Sequence, residues 1–249
     1  MGEVGIEKNG SDAYVQEPLV VIRGLKKSFT LKPVLRGIDL TLCPAERVAL
    51  LGANGAGKTT LLRILAGLTR PGSGNISISG LDSEFAAHQI SHLVGLVAHQ
   101  PYLYEELTAL ENLLFFARMY TVRHPQDRAR ELLRRVGLER RGNERVATFS
   151  RGQLQRLAWA RALLHAPSLL LLDEPDTGLD QEGHALVDAL LAEHIARGGS
   201  ALFTTHQYER ALALSDRLVI LSNGRIVYQQ DSRNLDLATL QSRYREVTS

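Results

Sequence analysis

Gly52-Ala53-Asn54-Gly55-Ala56-Gly57-Lys58-Thr59 decides how this chain folds. The octet fits the pattern G-x-x-x-x-G-K-[ST]. It lies between an apolar run at 47–51 that reads as a strand and a helical pattern that opens near Thr59. Glycines let successive backbone N–H groups turn inward as an anion nest, and the helix N-terminus behind them adds partial positive charge. In that setting Lys58 reaches phosphate oxygens and the Thr59 hydroxyl is a ligand for a divalent cation. The plain alternative is a glycine-rich turn with a solvated lysine. Strand, loop and helix in the required order argue against it.

Further along, Leu169-Leu170-Leu171-Leu172-Asp173 is an unbroken apolar run that ends on a carboxylate. Such a run fits a strand of a parallel sheet buried on both faces. Open α/β sheets place their ligand chemistry beyond the carboxyl ends of their strands, which makes Asp173 a candidate Mg²⁺ partner. Glu174 follows at once and is a candidate acceptor for the proton of an attacking water.

The rest of the chain supports an α/β plan. Strand-like runs occur at 19–23, 76–79, 94–98, 201–205, 218–221 and 225–229, and helical spacing at 59–66, 109–120, 127–136, 152–165, 182–196 and 234–247. Asn223-Gly224 carries hairpin chemistry. Residues 108–144 read as almost purely helical, so the plan is a nucleotide-type core with a helical insert. The 249 residues are 44% hydrophobic and 22% charged, an ordinary globular composition. A net charge of +2 is too balanced for a protein built to neutralise a nucleic-acid backbone. The single cysteine, Cys43, permits no internal disulfide, and no stretch reads as a membrane span or a signal peptide.

Phe149-Ser150-Arg151-Gly152-Gln153 ends 20 residues before Asp173. After Glu174 come Pro175 and Thr177-Gly178-Leu179-Asp180, then Thr205-His206 at the end of an apolar run, while Gln100 follows the run at 94–98. These motifs, in this order, resemble the nucleotide-binding subunit of ATP-binding cassette (ABC) transporters over residues 19–228. The resemblance implies a P-loop NTPase core of ABC ATPase type, with an antiparallel β subdomain and a helical insert subdomain at about 101–165. The ATPase domain is expected over 18–230, after a flexible lead at 1–17 and before a short C-terminal helix within 231–249.

The resemblance also implies roles. Phe29 takes the place of the aromatic that stacks on adenine. Gly52, Ala53, Asn54, Gly55, Ala56, Gly57, Lys58, Thr59 and Thr60 resemble the Walker A loop that cradles ATP. Gln100 matches the Q-loop residue that senses Mg²⁺ and lytic water. Ser150, Gly152 and Gln153 match the signature loop, Asp173 the Walker B carboxylate, Glu174 the catalytic base, Asp180 the D-loop aspartate and His206 the switch histidine. Mg²⁺ would be held through Thr59, Gln100 and Asp173. Two chains, identical or related, would sandwich two ATP molecules head to tail. Membrane permease subunits would hold the protein peripherally on the cytoplasmic face, with the segment 101–110 at the docking surface. No nucleic-acid partner is implied.

Two residues depart from the common signature, Phe149 for leucine and Arg151 for glycine. Arg151 is expected to be helical, with its guanidinium toward solvent or a neighbour. Val97-Ala98-His99-Gln100-Pro101 and the stretch 103–113 resemble the heme-exporter ATPase of cytochrome c maturation, which makes heme export the narrower expectation. ATPases of drug, lipid or antibiotic exporters share much of that pattern. A cassette ATPase acting on ribosomes or nucleic acid is a poorer fit, since those carry two cassettes or a long coiled-coil insert. Cys43 and Trp159 read as packing residues, the remaining histidines as structural, and the basic stretch 128–141 as a solvated helix face.

Overall fold

In the computed structural model, which describes residues 17–30 and 32–248, two long strands open the fold: β1 (Val20–Phe29) and β2 (Lys32–Leu42). The expected lead at 1–17 lies, but for its last residue, outside the described residues. β1 and β2 pair antiparallel, with β3 (Arg47–Leu51) next in the chain and the phosphate loop leading from it into α1 (Lys58–Leu65). Then come β4 (Ser73–Ile78), β5 (Leu81–Asp82), the short α2 (Ala87–Ser91) and β6 (Val94–Val97). Three helices follow without a strand, α3 (Ala109–Met119), α4 (Pro125–Arg135) and α5 (Arg151–Ala162). The chain closes with β7 (Leu169–Asp173), α6 (Gln181–Ala196), β8 (Ser200–Thr204), α7 (Tyr208–Leu214), β9 (Arg217–Ser222), β10 (Arg225–Asp231) and α8 (Leu237–Thr248).

The strands form two sheets, one in the order β2-β1-β4-β5, the other in the order β10-β9-β3-β8-β7-β6. The first is antiparallel; the second is parallel from β9 to β6, with β10 added as an antiparallel edge. Because β3, β8 and β7 are neighbours and parallel, the loops after Leu51, Thr204 and Asp173 leave the sheet along one edge. The leucine run of β7 divides its side chains between two cores. Leu170 and Leu172 pack with α5 and α6 residues, while Leu169 and Leu171 pack with α1 and the antiparallel sheet.

β2 is the main element that hydrophobic spacing misses. Its apolar residues Leu35, Ile38, Leu40 and Leu42 are buried, but Gly37 (φ +96°) is an extra residue in the pairing, between Arg36 opposite Lys26 and Ile38 opposite Leu25. A second shift at Gly24 (φ +58°), whose N–H donates to Asp39 Oδ1 at 2.8 Å, prolongs β1 beyond the expected 19–23. Each bulge resets the period of two on which a strand is recognised. The hairpin at Asn223 (φ +48°) and Gly224 (φ +75°) forms as its chemistry requires, joining β9 to β10.

Two expectations about side chains are corrected. Cys43 is exposed and fills no core position. The basic stretch 128–141 is more than a solvated face. Arg128 donates to the carbonyls of Leu163 (2.8 Å) and Leu164 (3.3 Å), and Arg135 pairs with Glu193 of α6. These contacts cap the C-terminus of α5 and tie α4 to α6.

His165, just past α5, stacks on Tyr120 with ring centroids 4.0 Å apart and its Nε2 lies 3.0 Å from Val94 O. Its Nδ1 is buried without a partner, and burial pushes its pKa down to about 4. The unfolded chain regains the ordinary value near 6.5 and binds the proton first. His165 therefore contributes fully above about pH 6.5, and this contribution is lost as pH falls from there to about 4. The difference is on the order of 3 kcal/mol. Urea titrations from pH 7.5 to 4 should show a shallower loss of stability for His165→Phe than for the wild type; equal slopes would refute this account.

Candidate functional site

Three glycines give the loop after β3 its shape. Gly52, Gly55 and Gly57 have φ of +156°, +81° and +113°. A Cβ on Gly52 would lie 2.3 Å from Leu221 O, and one on Gly57 would lie 2.7 Å from Leu35 Cδ2. Gly57 caps α1, so the first free N–H groups of that helix open onto the loop. The Lys58 ammonium bridges the loop, donating to Gly52 O (2.7 Å) and Ala53 O (3.2 Å). Burial lowers the Lys58 pKa, against the opposing pull of the Glu174 and Asp173 charges.

Thr59 Oγ1 donates to Asp173 Oδ2 at 2.7 Å. Thr204 Oγ1, from β8, donates to Asp173 Oδ1 at 2.8 Å and accepts the Glu174 N–H at 2.9 Å. Asp173 is only 6% exposed, and two hydroxyls satisfy it. Thr59 and Asp173 thus bring hard oxygen donors together at the mouth of the loop, a donor set that suits Mg²⁺.

Glu174 has φ +51°, a conformation that costs a side-chain-bearing residue about 1–3 kcal/mol and marks functional sites. Its Oε1 lies 2.6 Å from His206 Nε2, and its Oε2 accepts from Thr177 Oγ1 at 3.3 Å. Together with Phe29, Lys32, Val34, Asn54, Gly55, Gly57, Lys58, Thr59 and Thr60, Glu174 lines an open groove of ≈ 440 Å³. Phe29 is half exposed at its rim, with Lys27 Nζ 5.0 Å from its ring centroid.

Other candidate residues stand apart from that groove. Gln100 is exposed beyond β6; its neighbours His99 and Pro101 line a smaller cavity of ≈ 80 Å³ on which Glu174 also borders. Ser150 caps α5 in a reciprocal box: its Oγ accepts from Gln153 N (3.3 Å) and Gln153 Oε1 accepts from Ser150 N (2.9 Å). Asp180 caps α6 by accepting from Gly183 N at 2.8 Å. Ser150, Gly152, Gln153 and Asp180 do not line the groove. Arg151 is the first helical residue of α5, as expected, and its aliphatic stem lies over Gly178, where a Cβ would come 2.9 Å from Arg151 Cδ. Its guanidinium has no hydrogen-bond partner among the described residues.

Sequence reasoning missed two contributors. Thr204 is a β8 residue with an ordinary strand pattern around it, and no local signal singles it out. Trp159, read as packing alone, is fully buried but donates its indole N–H to Pro175 O (3.3 Å), next to Gln155 Nε2 on the same oxygen (2.8 Å).

Comparison with known proteins places this geometry. The family model described as "ABC transporter" matches residues 35–177. The chain is 38% identical over 224 residues to the uncharacterized ABC transporter ATP-binding protein YdbJ of Bacillus subtilis, covering 90% of this chain and 72% of that protein. It is 39% identical to Nod factor export ATP-binding protein I of Rhizobium meliloti, over 82% of this chain and 61% of that protein. It is 40% identical to the sulfate/thiosulfate import ATP-binding protein CysA of Caulobacter vibrioides, over 83% of this chain and 63% of that protein. A solved ATP-binding subunit of an ABC transporter superposes with a TM-score of 0.85 at 33% identity, over 93% of this chain and all of that one. A dimeric, post-hydrolysis structure of the ATP-binding cassette MJ0796, bound to ADP and Pi, gives 0.80 at 27% identity, over 87% of this chain and all of that one.

The loop geometry makes Gly57 a test position. Gly57→Ala combines a strained positive φ with a clash against Leu35. It should destabilise the fold by about 1–3 kcal/mol and weaken binding of a fluorescent ATP analogue by at least about tenfold. Denaturant midpoints and equilibrium titrations check both; wild-type binding would mean that the loop tolerates a side chain there.

Proposed function

The chain belongs to the ABC transporter family as an ATP-hydrolysing subunit that uses ATP with Mg²⁺, and we propose that the groove between the phosphate loop and Glu174 is its hydrolytic site, driving export through a separate permease. The observation that carries the reading is the convergence of Lys58, Thr59, Asp173, Glu174 and His206 on one sheet edge, through contacts of 2.6–2.7 Å between Thr59 and Asp173 and between Glu174 and His206.

The chemistry follows from the donors. The loop N–H groups and Lys58 hold the β- and γ-phosphates, and Phe29 offers a face to adenine. Thr59 and Asp173 would hold Mg²⁺, which supplies charge neutralisation between the β- and γ-phosphate oxygens. Glu174 takes the proton as the oxygen of water bonds to the γ-phosphorus and the bond to the bridging oxygen breaks, releasing ADP and phosphate. A His206 Nε2–H donated to Glu174 Oε1 keeps that carboxylate aimed at the groove. Gln100, outside the groove in this structure, reaches the water or the Mg²⁺ only when the segment after β6 moves inward.

One chain does not complete this site. Ser150, Gly152 and Gln153 form an anion-ready helix N-terminus away from the groove, so in our reading they cover the ATP of a second chain, with Asp180 beside the junction. The dimeric MJ0796 cassette supports that arrangement. No helix among the described residues is long and apolar enough to cross a membrane, which accords with a peripheral subunit held on the cytoplasmic face by its permease. A cavity of ≈ 410 Å³ beside Tyr102, Leu103, Tyr104, Phe116 and Tyr120 gives the docking segment an apolar seat, and Glu105 and Glu106, next in the chain, are exposed.

Export of a drug, lipid or antibiotic is the cargo class the relatives' names favour. Besides Nod factor export they include linearmycin and daunorubicin resistance, while CysA is named for import. Heme export has no support in these names and rests on the resemblance of the segments 97–101 and 103–113 and of Phe149-Ser150-Arg151-Gly152 with Gln155-Arg156-Leu157. Heme content of periplasmic cytochrome c in a deletion strain separates the two: normal cytochrome assembly excludes heme as cargo.

Glu174→Gln should retain ATP binding, lose about 10²–10⁴-fold in hydrolysis, and accumulate as an ATP-bound dimer in light scattering. Adding Ser150→Arg should abolish that dimer while ATP still binds. A Glu174→Gln chain that turns over ATP at the wild-type rate would remove Glu174 as the base. Reversing Glu105 and Glu106 to lysine should reduce co-purification with the co-expressed permease and spare basal ATPase; unchanged co-purification would move the docking surface elsewhere.

A further inference from the structure

Glu174 holds a positive φ (+51°) and is followed by Pro175, which disfavours the right-handed helical alternative for the residue before it. Freed from its surroundings, Glu174 would relax to an extended conformation and carry its carboxylate away from His206. A strained residue persists only where its neighbours over-determine it, so the groups that grip the peptides on either side of Glu174 are of interest. On the N-terminal side the grip is the Glu174 N–H on Thr204 Oγ1, at 2.9 Å. On the C-terminal side two contacts converge on one atom one peptide further on: Pro175 O accepts from Gln155 Nε2 at 2.8 Å and from Trp159 Nε1 at 3.3 Å.

Gln155 and Trp159 are four apart on α5, hence on one face of the helix. Both are buried, and neither lines the groove of Lys58 and Glu174. Leucine would fill the space of Gln155 if volume were all that mattered, and no packing need requires a nitrogen on the ring of Trp159. Their polar atoms instead meet on a carbonyl that has no helical or strand partner of its own. Thr177 N closes the turn on Glu174 O at 3.2 Å, so with Pro175 O pinned the stretch from Glu174 to Thr177 has little freedom left.

We propose that Gln155 and Trp159 are positioning residues for Glu174: by fixing Pro175 O from α5 they hold Glu174 in the strained conformation that directs its carboxylate at the nucleotide groove. The inference rests on the reading of Glu174 as the base, and it adds two residues that never touch ATP. It also makes α5, whose first turn is the signature loop, part of the support of the same chain's hydrolytic carboxylate.

The test is a double-mutant cycle on the full chain, read by single-turnover hydrolysis of Mg-ATP and by ATP binding. Gln155→Leu should lower the single-turnover rate about tenfold and Trp159→Phe about threefold, with ATP affinity changed less than about twofold. In the Glu174→Gln background neither substitution should slow the reaction further, because no base is left to misplace. Additive slowing in that background would assign both residues to general stability and overturn the inference, as would a wild-type rate for both single variants. If Gln155→Leu does not fold, Trp159→Phe, which removes the indole N–H and reduces the bicyclic ring to a single one, carries the same cycle, the Glu174→Gln background separating lost packing from lost positioning. A Glu174→Gln chain as fast as wild type would instead sink the base reading on which the inference stands, so the two failures are told apart.

Discussion

The carboxylate of Asp173 is the point on which the site hangs. It ends a strand of four leucines and is nearly inaccessible, a placement that would be costly for a carboxylate without donors. Thr59 and Thr204 supply them at 2.7 and 2.8 Å. Those two bonds also join three elements: β7, which carries Asp173; α1, which begins at the phosphate loop; and β8, which leads to His206. Hydrogen bonds to a charged group are worth about 1.5–3 kcal/mol each, more than typical neutral pairs. The same contacts that make the buried charge tolerable therefore set the spacing of loop, carboxylates and histidine.

How much of this the sequence discloses depends on whether a feature is local. The phosphate loop is legible because its glycines, lysine and threonine are contiguous and each is needed by geometry: Gly57 can bear no Cβ against Leu35. The leucine run of β7 is legible because burial on both faces removes every polar residue from it. β2 is not legible, since the bulge at Gly37 interrupts its alternation and only its pairing with β1, itself bulged at Gly24, reveals the register. Arg128 and Arg135 mislead for a similar reason. On a helix they count as exposed charge, yet their partners are carbonyls and a carboxylate 35 to 58 residues away. Thr204 and the polar duties of Gln155 and Trp159 are invisible for want of any sequence neighbour that explains them.

The proposed division of the site between chains accords with the capping of α5. Ser150 and Gln153 satisfy one another, so the signature helix is capped without any nucleotide. That leaves it stable while apart from the groove of its own chain. A Cβ on Gly152 would lie 3.3 Å from Gly178 O, closer than ordinary van der Waals contact. The first turn of α5 is thus packed against the loop that follows Glu174, with Arg151 laid over Gly178 on one side and Gln155 bonded to Pro175 on the other.

This packing bears on how the ATPase subunit can report to its permease. α5 also lies behind the apolar cavity of the docking segment, where Arg161 donates to Leu96 O at 2.6 Å and sets its guanidinium over Phe116, 5.3 Å from the ring centroid. A single helix of 12 residues therefore touches the loop after Glu174 through Arg151, Gln155 and Trp159, and the apolar cavity beside Tyr102 through Arg161. Over that length a helix spans about 18 Å and behaves as a stiff rod. A displacement of α5 imposed at the cavity would then carry Gln155 and Trp159, and with them Pro175 O. Coupling by this route needs no long relay of side chains, only that α5 move as one piece, and the buried contacts of Leu157, Ala158 and Trp159 along its middle favour that.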